Sequence, residues 1–506
     1  MKDSSLVLSI DIGSTAVKVI AMTKEGEIAA SESGHYPTSS PYPGWVEQDP
    51  ESWWAAASAA IKGCLERVGP AAIGAVSFSG HMSAPVLLDE DGTPVMPSIL
   101  IADARSHEES AYLKAHYKRD FLQLTGNEPI DAFTVSKLLW IMKARPDAMD
   151  RARTLLFPKD YIRYKLTGQL GTDQTDAGNS LLYDHSKGEW ALGLIRELGL
   201  PIHIFPRIHA SSDIVGHASH DASIATGLLE GTPIVAGAAD MACSQLGTGA
   251  VRTGTLAITL STSAQVVMRV DSIASSSAGQ ITYHPSAIPG TLYAMGSVFT
   301  GGLGIDWAYR LVTGKSRLSA ADYAAINQLC EGMKGIPPGS ANVMFLPFLV
   351  GSGTPHFDAA DRATWIGLST GQTPELLMHS VMEGIAFNIR ESMEVFQKDG
   401  HAIDKVHLGG GGSRNQVWSA MIGDVLGKNL SFLHNRDASA IGAAMLAGVG
   451  TGMCTMEDII SQKLVSTSEP SPYSEDRHRS YDVIYARYLS AYRALNEWYR
   501  NEQTAQ

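Results

Sequence analysis

Short apolar runs interrupted by polar turns occur twice in this chain, about 250 residues apart. Residues 6–10 form a mostly apolar run that stops at Asp11-Ile12-Gly13-Ser14-Thr15 and then resumes. Residues 256–260 form another run, which stops at Ser261-Thr262-Ser263 and also resumes. The flanking runs are short and rich in Val and Ile, which favours strands over helices. The pattern therefore predicts two β-hairpins with hydroxyl-bearing turns, one in each half of the chain.

Helical periodicity begins after the first hairpin. Asp49-Pro50-Glu51 is a typical helix start, with Asp as the N-cap and Pro at the first helical position. The helix predicted there ends near Gly69, and its core face consists of Trp54, Ala57, Ile61 and Leu65. A second start at Thr373-Pro374-Glu375 predicts an amphipathic helix that stops at Gly400.

Strand-like and helical runs alternate over most of the chain, which is typical of an α/β fold. The 506 residues are too many for one ordinary domain, so at least two are expected. We place the boundary between the two halves between Gly247 and Thr255. The predicted domains are an N-terminal lobe over residues 1–248, a C-terminal lobe over residues 249–465 and a helical tail over residues 466–506.

The composition excludes several classes of protein. Hydrophobic residues make up 44% of the chain and charged residues 18%, as in globular proteins rather than disordered or fibrous ones. A net charge of −13 without any basic run argues against nucleic acid as the main partner. The sequence contains no run of about 18 apolar residues, so no membrane span is predicted. The four cysteines are isolated from one another, and no secretion signal precedes them, so we expect a cytoplasmic protein.

The two hydroxyl-bearing turns point to phosphate. Exposed backbone N–H groups, small residues and hydroxyls such as those of Ser14, Thr15 and Thr262 can surround phosphate oxygens. Either turn alone is equally well an ordinary surface turn, but two related turns favour a nucleotide held between them. Asp11 strengthens this interpretation, because a carboxylate beside phosphate is unfavourable unless a cation such as Mg²⁺ lies between them.

Asp240 is the candidate catalytic residue. It follows a strand-like run and the small residues 237–239, at the predicted start of a helix. In open α/β sheets ligands bind at the carboxyl ends of strands, and a helix N-terminus favours an ionised carboxylate. Phosphoryl transfer to an alcohol needs a base that accepts the hydroxyl proton, and Asp serves this purpose in other kinases. The alternative is that Asp240 only caps its helix.

Two glycine-rich segments are candidates for contacts with a nucleotide. Residues 409–412 are four consecutive glycines between a predicted strand and a predicted helix, and Gly411 and Gly412 let adenine or ribose approach the backbone closely. A tight strand–helix turn is the alternative. Gly302, in the segment Gly301-Gly302-Leu303-Gly304, is either a further phosphate contact or part of a helix start packed against a neighbour.

Polar residues at two strand ends of the first half are candidates for a sugar pocket. His81, Met82 and Ser83 follow one strand-like run, and Asp103 and Arg105 follow another. Polyols need such donors and acceptors, although Asp103 and Arg105 fit a structural ion pair equally well. Trp45 offers an aromatic face to a sugar, but we expect it in the core.

With these residues in hand, the chain resembles the FGGY family of carbohydrate kinases, and within it the xylulokinases most. The resemblance runs from about residue 6 to residue 450. Its motifs in the first half are Asp11-Ile12-Gly13-Ser14-Thr15, residues 45–50, 87–89 and 103–105, Phe133-Thr134 with residues 137–140, residues 158–161, and Thr172-Asp173 with Asp176. Its motifs in the second half are residues 237–240, 260–263, 354–356 and 410–415. In this order and spacing the motifs are highly specific.

The resemblance implies two actin-like lobes of the ribonuclease H type, with ATP and Mg²⁺ between them and the sugar deep in the first lobe. By position, Asp240 matches the family's catalytic base and a metal-side group, and Asp11 matches the metal-side carboxylate. Further matches are Ser14 and Thr15 for the first phosphate turn, Thr262 and Gly302 for later phosphate contacts, Gly411, Gly412 and Asn415 for adenosine, and Met82 for the sugar, with His81, Ser83 and Asp103 beside it.

Three departures from the family pattern accompany these matches. Xylulokinases usually have Gln-Met-His where this chain has His81-Met82-Ser83. Ser261 replaces a glycine in the second phosphate turn, and Ser352-Gly353 stands where related kinases often carry Glu-Arg. None of them removes Asp240, so we expect catalysis to be kept and the identity of the sugar to be open.

We therefore expect an ATP-dependent kinase that phosphorylates a terminal hydroxyl, with a ketopentose such as D-xylulose as the first candidate substrate. A sugar acid, ribulose or a four-carbon polyol is the alternative. The expected partners are the sugar or polyol and ATP, without nucleic acid or membrane, and a homodimer is left open. A non-catalytic sugar sensor or an actin-like ATPase is the alternative of another class; Asp240 speaks against the sensor, and the short tail against a chaperone.

Overall fold

The computed structural model of the chain describes residues 6–435, 437–462 and 464–503, with side chains through residue 500. The strands before residue 249 are β1 (Leu6–Ile12), β2 (Ala16–Thr23), β3 (Ile28–His35), β4 (Glu47–Gln48), β5 (Ile73–Gly80), β6 (Val86–Leu88), β7 (Ser98–Ile99), β8 (Thr154–Leu156), β9 (Thr172–Asp173), β10 (Tyr183–Asp184), β11 (Glu189–Trp190), β12 (Ile208–His209), β13 (Ile214–His217), β14 (Pro233–Val235) and β15 (Ala238–Ala239). The helices of this part are α1 (Pro50–Val68), α2 (His107–Thr125), α3 (Thr134–Ala144), α4 (Pro146–Arg151), α5 (Pro158–Thr167), α6 (Gln174–Asn179), α7 (Leu192–Glu197), α8 (His220–Thr226) and α9 (Asp240–Thr248).

The remainder of the chain repeats the alternation of strands and helices. Its strands are β16 (Thr255–Leu260), β17 (Ala264–Val270), β18 (Thr282–Pro285), β19 (Leu292–Val298), β20 (Met344–Leu346), β21 (Thr364–Ile366), β22 (Lys405–Gly409) and β23 (Leu430–Phe432). Its helices are α10 (Gly302–Thr313), α11 (Ala320–Gly332), α12 (Pro374–Lys398), α13 (Gln416–Leu426), α14 (Ala438–Gly450), α15 (Met456–Ile460) and α16 (Glu475–Gln503).

Two central sheets share the same arrangement of five strands, and this confirms the predicted pair of related lobes. In the first sheet the strand order is β13-β14-β5-β1-β2-β3, and β15 also pairs with β5. Strand β2 is antiparallel to both of its neighbours, β1 and β3, whereas β5 runs parallel to β1, and β14 parallel to β5. The second sheet has the order β18-β19-β17-β16-β22-β23, with β16, β17 and β19 antiparallel, β22 parallel to β16 and β23 parallel to β22. Each predicted hairpin is therefore the first pair of strands in its sheet.

Helices α9 and α14 lie between the two sheets. Their buried residues belong to one hydrophobic cluster that also contains side chains of β1, β5, β16 and β19. The two helix backbones touch, because a Cβ atom added to Gly442 would lie 1.9 Å from the carbonyl oxygen of Cys243. A Cβ atom on Gly247 would lie 2.1 Å from the carbonyl oxygen of Ala438. Glycine is therefore required on both helices at this crossing.

Helix α1 begins and ends as predicted. The Asp49 carboxylate accepts a hydrogen bond from the Glu51 backbone N–H at 3.0 Å, and Gly69 follows the last residue. Trp54, predicted for the core face, is half-buried and packs against the core, whereas the fully buried Trp53 was not predicted. Trp53 can be buried because its indole N–H donates to Gln48 Oε1 at 2.8 Å, so no polar group is left without a partner.

The segment predicted as a tail ends in a long helix that packs on the second lobe. Four tyrosines of α16 enter the hydrophobic core beside α12 and α13: Tyr481, Tyr485, Tyr488 and Tyr492. Residues 504–506 of the predicted tail, like residues 1–5 of the predicted first lobe, lie outside the described residues. Among the helices described, none is long and apolar enough to span a membrane.

Candidate active site

The carboxyl ends of three parallel strands bring the candidate residues of the first lobe together. Strands β1 and β15 both run parallel to β5, with Asp11 opposite Ser79 and Ala239 opposite Gly80. Asp240 directly follows β15 and Asp11 is the last but one residue of β1, so both carboxylates lie at the same edge of the sheet. This is the edge at which open α/β sheets bind ligands.

Asp240 is the first residue of α9, and its surroundings raise its pKa. The residue at the N-cap position is Ala239, so the alternative that Asp240 serves as the N-cap is not what the structure shows. Its Oδ1 accepts a hydrogen bond from the Met241 backbone N–H at 2.7 Å. Burial, with a smaller contribution from the negative charge of Asp11, raises the pKa of Asp240 to about 7. A carboxylate with such a pKa is suited to accept a proton near neutral pH.

Asp11 has one oxygen held and one oxygen open. Its Oδ2 accepts a hydrogen bond from the Ser439 hydroxyl of α14 at 2.7 Å, whereas its buried Oδ1 has no hydrogen-bond partner among the described residues. Burial raises the pKa of Asp11, and the hydroxyls of Ser79 and, to a smaller extent, Ser439 oppose this effect. Nearby, Lys18 Nζ and Asp437 Oδ1 form an ion pair at 2.6 Å. The two lobes are thus joined next to the first turn.

This arrangement fits a magnesium ion that is only partly coordinated by protein. No group of three or more His, Cys, Asp or Glu side chains suited to a metal occurs within residues 6–435, 437–462 and 464–503. Mg²⁺ usually takes one or two carboxylates, keeps several waters and uses the substrate's phosphates for the rest. The unpartnered Oδ1 of Asp11 and the carboxylate of Asp240 are a donor set of that kind.

The first predicted phosphate turn is open to solvent. Ser14 and Thr15 are exposed, and the turn is closed by the Gly13 N–H, which donates to the Ala16 carbonyl at 3.0 Å. Gln48 Nε2 donates to the Ser14 carbonyl at 2.8 Å and so fixes the backbone of the turn. The Ser14 and Thr15 hydroxyls are therefore presented on a fixed backbone.

The second turn and the start of α10 support each other. The Ser261 hydroxyl donates to the Ser263 carbonyl at 3.1 Å, and the Gly302 N–H donates to the Ser261 carbonyl at 2.6 Å. The Leu303 N–H donates to the Thr262 carbonyl at 3.0 Å. The structure thus shows the helix start packed on the turn. Gly302 also lines a cavity, and its contact with phosphate stays a prediction.

That cavity lies in the second lobe and has a volume of about 430 Å³. It brings together the predicted residues Thr262, Gly302, Gly411, Gly412 and Asn415. Ten further residues complete its wall: Ser261, Ile305, Asp306, Tyr323, Ile326, Asn327, Cys330, Met382, Arg414 and Trp418. A mostly apolar cavity with a few polar groups suits a planar heterocycle such as adenine.

Two glycines of the loop after β22 have a steric reason to be glycine. Gly410 has a φ of +85°, and a Cβ on Gly412 would lie 2.7 Å from the Leu260 side chain. Only Gly411 faces open space. Asn415 is the N-cap of α13, since its Oδ1 accepts from the Trp418 N–H at 3.0 Å. The loop is therefore both a tight turn and a cavity wall.

His81 is a neutral imidazole in the interior of the first lobe. It is almost fully buried, and neither ring nitrogen has a hydrogen-bond partner in the described part of the chain. Burial, reinforced by the positive charge of Lys137, lowers the pKa of His81 to about 3. Because buried polar atoms are normally paired, these two nitrogens are suited to a polar ligand such as a sugar hydroxyl.

The segment after His81 has a fixed and unusual backbone. Ser83 is fully buried with a φ of +64°, and its hydroxyl donates to the Asn179 carbonyl at 3.3 Å. Met82 is buried beside it. Lys137 Nζ donates to the Ser83 carbonyl at 2.8 Å. The sequence placed Lys137 in a family motif without assigning it a role; its structural role is to hold this segment.

The Asp103 carboxylate is bound by other groups of the protein. Its carboxylate forms an ion pair with Arg105 Nη2 at 2.7 Å and accepts from the Val46 N–H at 2.5 Å, and its side chain is fully buried. The structural ion pair is thus the alternative that the structure forms. Trp45, expected in the core, is only half-buried, and the Arg105 guanidinium lies over its ring, 3.7 Å from the ring centre.

Comparison with known proteins matches both lobes to one family. Residues 6–247 match the N-terminal domain, and residues 249–451 the C-terminal domain, of the FGGY family of carbohydrate kinases. Xylulose kinase from Bacillus subtilis (strain 168) is 29% identical over 489 residues, 96% of each chain. Xylulose kinase from Escherichia coli (strain K12) is 30% identical over 88% of this chain and 90% of that one. The crystal structure of xylulose kinase from Rhodospirillum rubrum is similar with a TM-score of 0.90 at 28% identity, covering 98% of this chain and all of that one.

Proposed function

Because the chain belongs to the FGGY family of carbohydrate kinases, we propose that it transfers the γ-phosphoryl group of ATP to a terminal hydroxyl of D-xylulose or a closely related sugar. The observation that carries the proposal is the meeting of Asp11 and Asp240 at one sheet edge. A base with a pKa near neutrality lies there beside a carboxylate with a free oxygen. The names of the relatives supply the candidate sugar.

In the proposed reaction Asp240 acts as the general base. Its carboxylate accepts the proton of the attacking hydroxyl as the oxygen–phosphorus bond to the γ-phosphorus forms. The bond between the γ-phosphorus and the oxygen that bridges to the β-phosphorus breaks, and ADP leaves with those electrons. The His81 nitrogens are proposed to bind and orient the sugar, with Met82 and Ser83 shaping the pocket.

Nucleotide binding is assigned to the two turns and the cavity. We assign the phosphate contacts to Ser14, Thr15 and Thr262. Hydrogen bonds fix the backbones of their turns, and the three residues are exposed. Gly411, Gly412 and Asn415 are proposed to contact adenosine, with Gly302 allowing close approach. Asp103 is proposed to act indirectly, by fixing the loop around Trp45.

Asp11 and Asp240 are the residues proposed to hold Mg²⁺ directly or through its waters. The bound ion would neutralise charge on the phosphate oxygens. The Ser439 hydroxyl holds Oδ2 of Asp11 by a hydrogen bond, which leaves Oδ1 for the ion.

Asp11→Ala is expected to raise the Mg²⁺ concentration needed for half-maximal activity by about tenfold or more and to lower kcat, with little change in sugar affinity. The loss of one carboxylate weakens the hold on the metal but leaves the sugar pocket intact. A Mg²⁺ titration of activity, together with Mn²⁺ binding to the ADP-bound protein, measures the effect. The surface variant Asp147→Ala is the control. Titrations of the Asp11 variant that overlay those of wild type contradict the role.

The pH dependence of kcat/KM is expected to show an acid limb near pH 7 when both substrates are well below saturation. Asp240 must be ionised to accept a proton, and its pKa is raised to about 7, so activity rises with pH through that value and then levels off. At saturating Mg²⁺–ATP the limb is expected at lower pH, because a cation favours the carboxylate. A profile that stays flat down to about pH 5 under the first condition speaks against Asp240 as the base.

The identity of the sugar is tested with a panel of substrates. Ser83 stands where xylulokinases place His, so ribulose, a sugar acid and a four-carbon polyol are the competing substrates. Initial rates with ATP over pentuloses, aldonates and polyols give the ratio of kcat/KM values. We expect D-xylulose among the accepted sugars. Failure to phosphorylate any of them, with sugar binding retained, favours a sensor, and ATP hydrolysis without a sugar product favours an ATPase.

A cytoplasmic location belongs to the same proposal. The four cysteines are free thiols, and three of them are buried, which suits a reducing compartment. A homodimer remains a hypothesis for measurement by light scattering.

A further inference from the structure

A cluster of charged side chains is buried beneath the edge that carries Asp240. Lys159 Nζ lies 2.6 Å from Asp160, 3.0 Å from Asp173 and 3.1 Å from Asp176, and all four side chains are at most 1% exposed. Arg163 Nη1 lies 3.0 Å from Asp160. Such a cluster is rigid, because each charge removed from water depends on its partners.

The chain segment that leads to Asp240 is fixed to this cluster at successive positions. Arg163 Nη1 donates to the Ala236 carbonyl at 3.2 Å. The Gly237 N–H donates to the carbonyl of Ser211 at 3.0 Å, and the Ser211 hydroxyl donates to Asp173 Oδ2 at 2.7 Å. Residues 236 and 237 are thus linked to the charged side chains of the cluster, directly or through Ser211.

Thr175 makes the contact nearest to Asp240. Its hydroxyl donates to Asp173, with Oδ2 at 2.8 Å and Oδ1 at 3.0 Å, and accepts from the Ala239 N–H at 2.8 Å. Ala239 is fully buried and directly precedes Asp240. The donor and acceptor roles are consistent, because the carboxylate can only accept and the backbone N–H can only donate.

We propose that Thr175 is a positioning residue for Asp240: oriented by Asp173, its hydroxyl fixes the backbone of Ala239 and so sets where the Asp240 carboxylate lies. This inference rests on the proposed role of Asp240 as the base. Thr175 touches neither the sugar nor ATP in the proposed arrangement. Its effect should therefore appear in the rate of transfer and not in the affinity for nucleotide.

Thr175→Val tests the proposal, because Val has nearly the shape of Thr without the hydroxyl. The buried Ala239 N–H then loses its partner and the backbone before Asp240 shifts. We expect kcat to fall by about tenfold to a hundredfold, since small displacements of a catalytic group have effects of this size. KM for ATP and the Kd for ADP should stay within about twofold of wild type. Thr175→Ser keeps the hydroxyl and should restore kcat to within about threefold.

Thr172→Val is the matched control. Thr172 is a fully buried threonine three residues away, and its hydroxyl has no hydrogen-bond partner among the described residues. Its kcat should stay near that of wild type. Thermal unfolding of every variant separates lost positioning from lost folding, and where Thr175→Val does not fold, Thr175→Ala removes the same hydroxyl from a smaller side chain.

Two outcomes overturn the proposal. One is a Thr175→Val enzyme with wild-type kcat. The other is a Thr175→Ser enzyme as impaired as Thr175→Val, because the hydroxyl would then not be the active feature. Asp240→Asn, measured in the same assay, distinguishes these from failure of the proposed function: if Asp240→Asn stays active, the base is wrong, whereas if it is inactive and Thr175→Val is not, only the positioning role is wrong.

Discussion

Asp240→Asn is expected to lower the rate of phosphoryl transfer by about 10²–10⁴-fold while nucleotide binding stays largely intact. The substituted amide oxygen still accepts the hydrogen bond from the Met241 N–H, so the start of α9 is preserved. The amide cannot take up the proton of the attacking hydroxyl. The cavity proposed for adenosine lies in the other lobe and does not include residue 240.

Single-turnover experiments with ATP and a saturating sugar measure this effect directly, and ADP titrations check the binding. Asp221→Asn is the matched control, because Asp221 is an exposed carboxylate in the first turn of α8. Its rate should equal that of wild type. An Asp240→Asn rate within about tenfold of wild type is too small a change for loss of a general base and would sink the assignment.

Gly442→Ala is expected to have the largest effect on stability. The added methyl group would lie 1.9 Å from the Cys243 carbonyl oxygen, so α9 and α14 must move apart. Backbone atoms cannot rotate away as a side chain can, and both helices are packed between the two sheets, so the clash is not easily relieved. Overpacking usually costs about 1–3 kcal/mol, and a contact with backbone this short should reach or exceed the upper end. Gly247→Ala should behave alike.

Gly332→Ala is the control for the change from glycine to alanine itself. Gly332 ends α11, and a Cβ there meets nothing within 4 Å. In the open, this change favours a helix by up to about 1 kcal/mol. The thermal or urea unfolding midpoints of the three variants, together with their soluble yields, measure the loss of stability. Equal midpoints for Gly442→Ala and wild type contradict the close crossing of the two helices.

The parts of the fold that were predicted from sequence have local causes. The N-cap at Asp49 and the turns between β1 and β2 and between β16 and β17 are each determined by a few neighbouring residues. Asp240 was identified because a strand end followed by small residues and a helix start is itself a local pattern. Its base role stays a prediction, as do the other site assignments.

Contacts between segments that are distant in the chain could not be predicted from sequence patterns. Tyr323, Asn327 and Trp418 line the cavity from α11 and α13, and nothing in their local spacing marks them. The hydrogen bond between Ser439 and Asp11 joins residues 428 positions apart. Trp53 and Trp54 are adjacent and equally apolar, yet Trp53 is fully buried, with its indole N–H bonded to Gln48, and Trp54 is half-buried. Such choices depend on tertiary packing.

The two contacts between α14 and the first lobe have a thermodynamic consequence. The hydrogen bond from Ser439 to Asp11 and the ion pair of Lys18 with Asp437 both join the first lobe to the start of α14. A ligand that changes the spacing of the lobes changes both contacts, so we expect binding at the proposed sugar and ATP sites to be coupled through them. Linkage then requires the factor by which the sugar tightens ATP binding to equal the factor by which ATP tightens sugar binding. Either affinity measured with and without the other ligand thus yields the same coupling free energy.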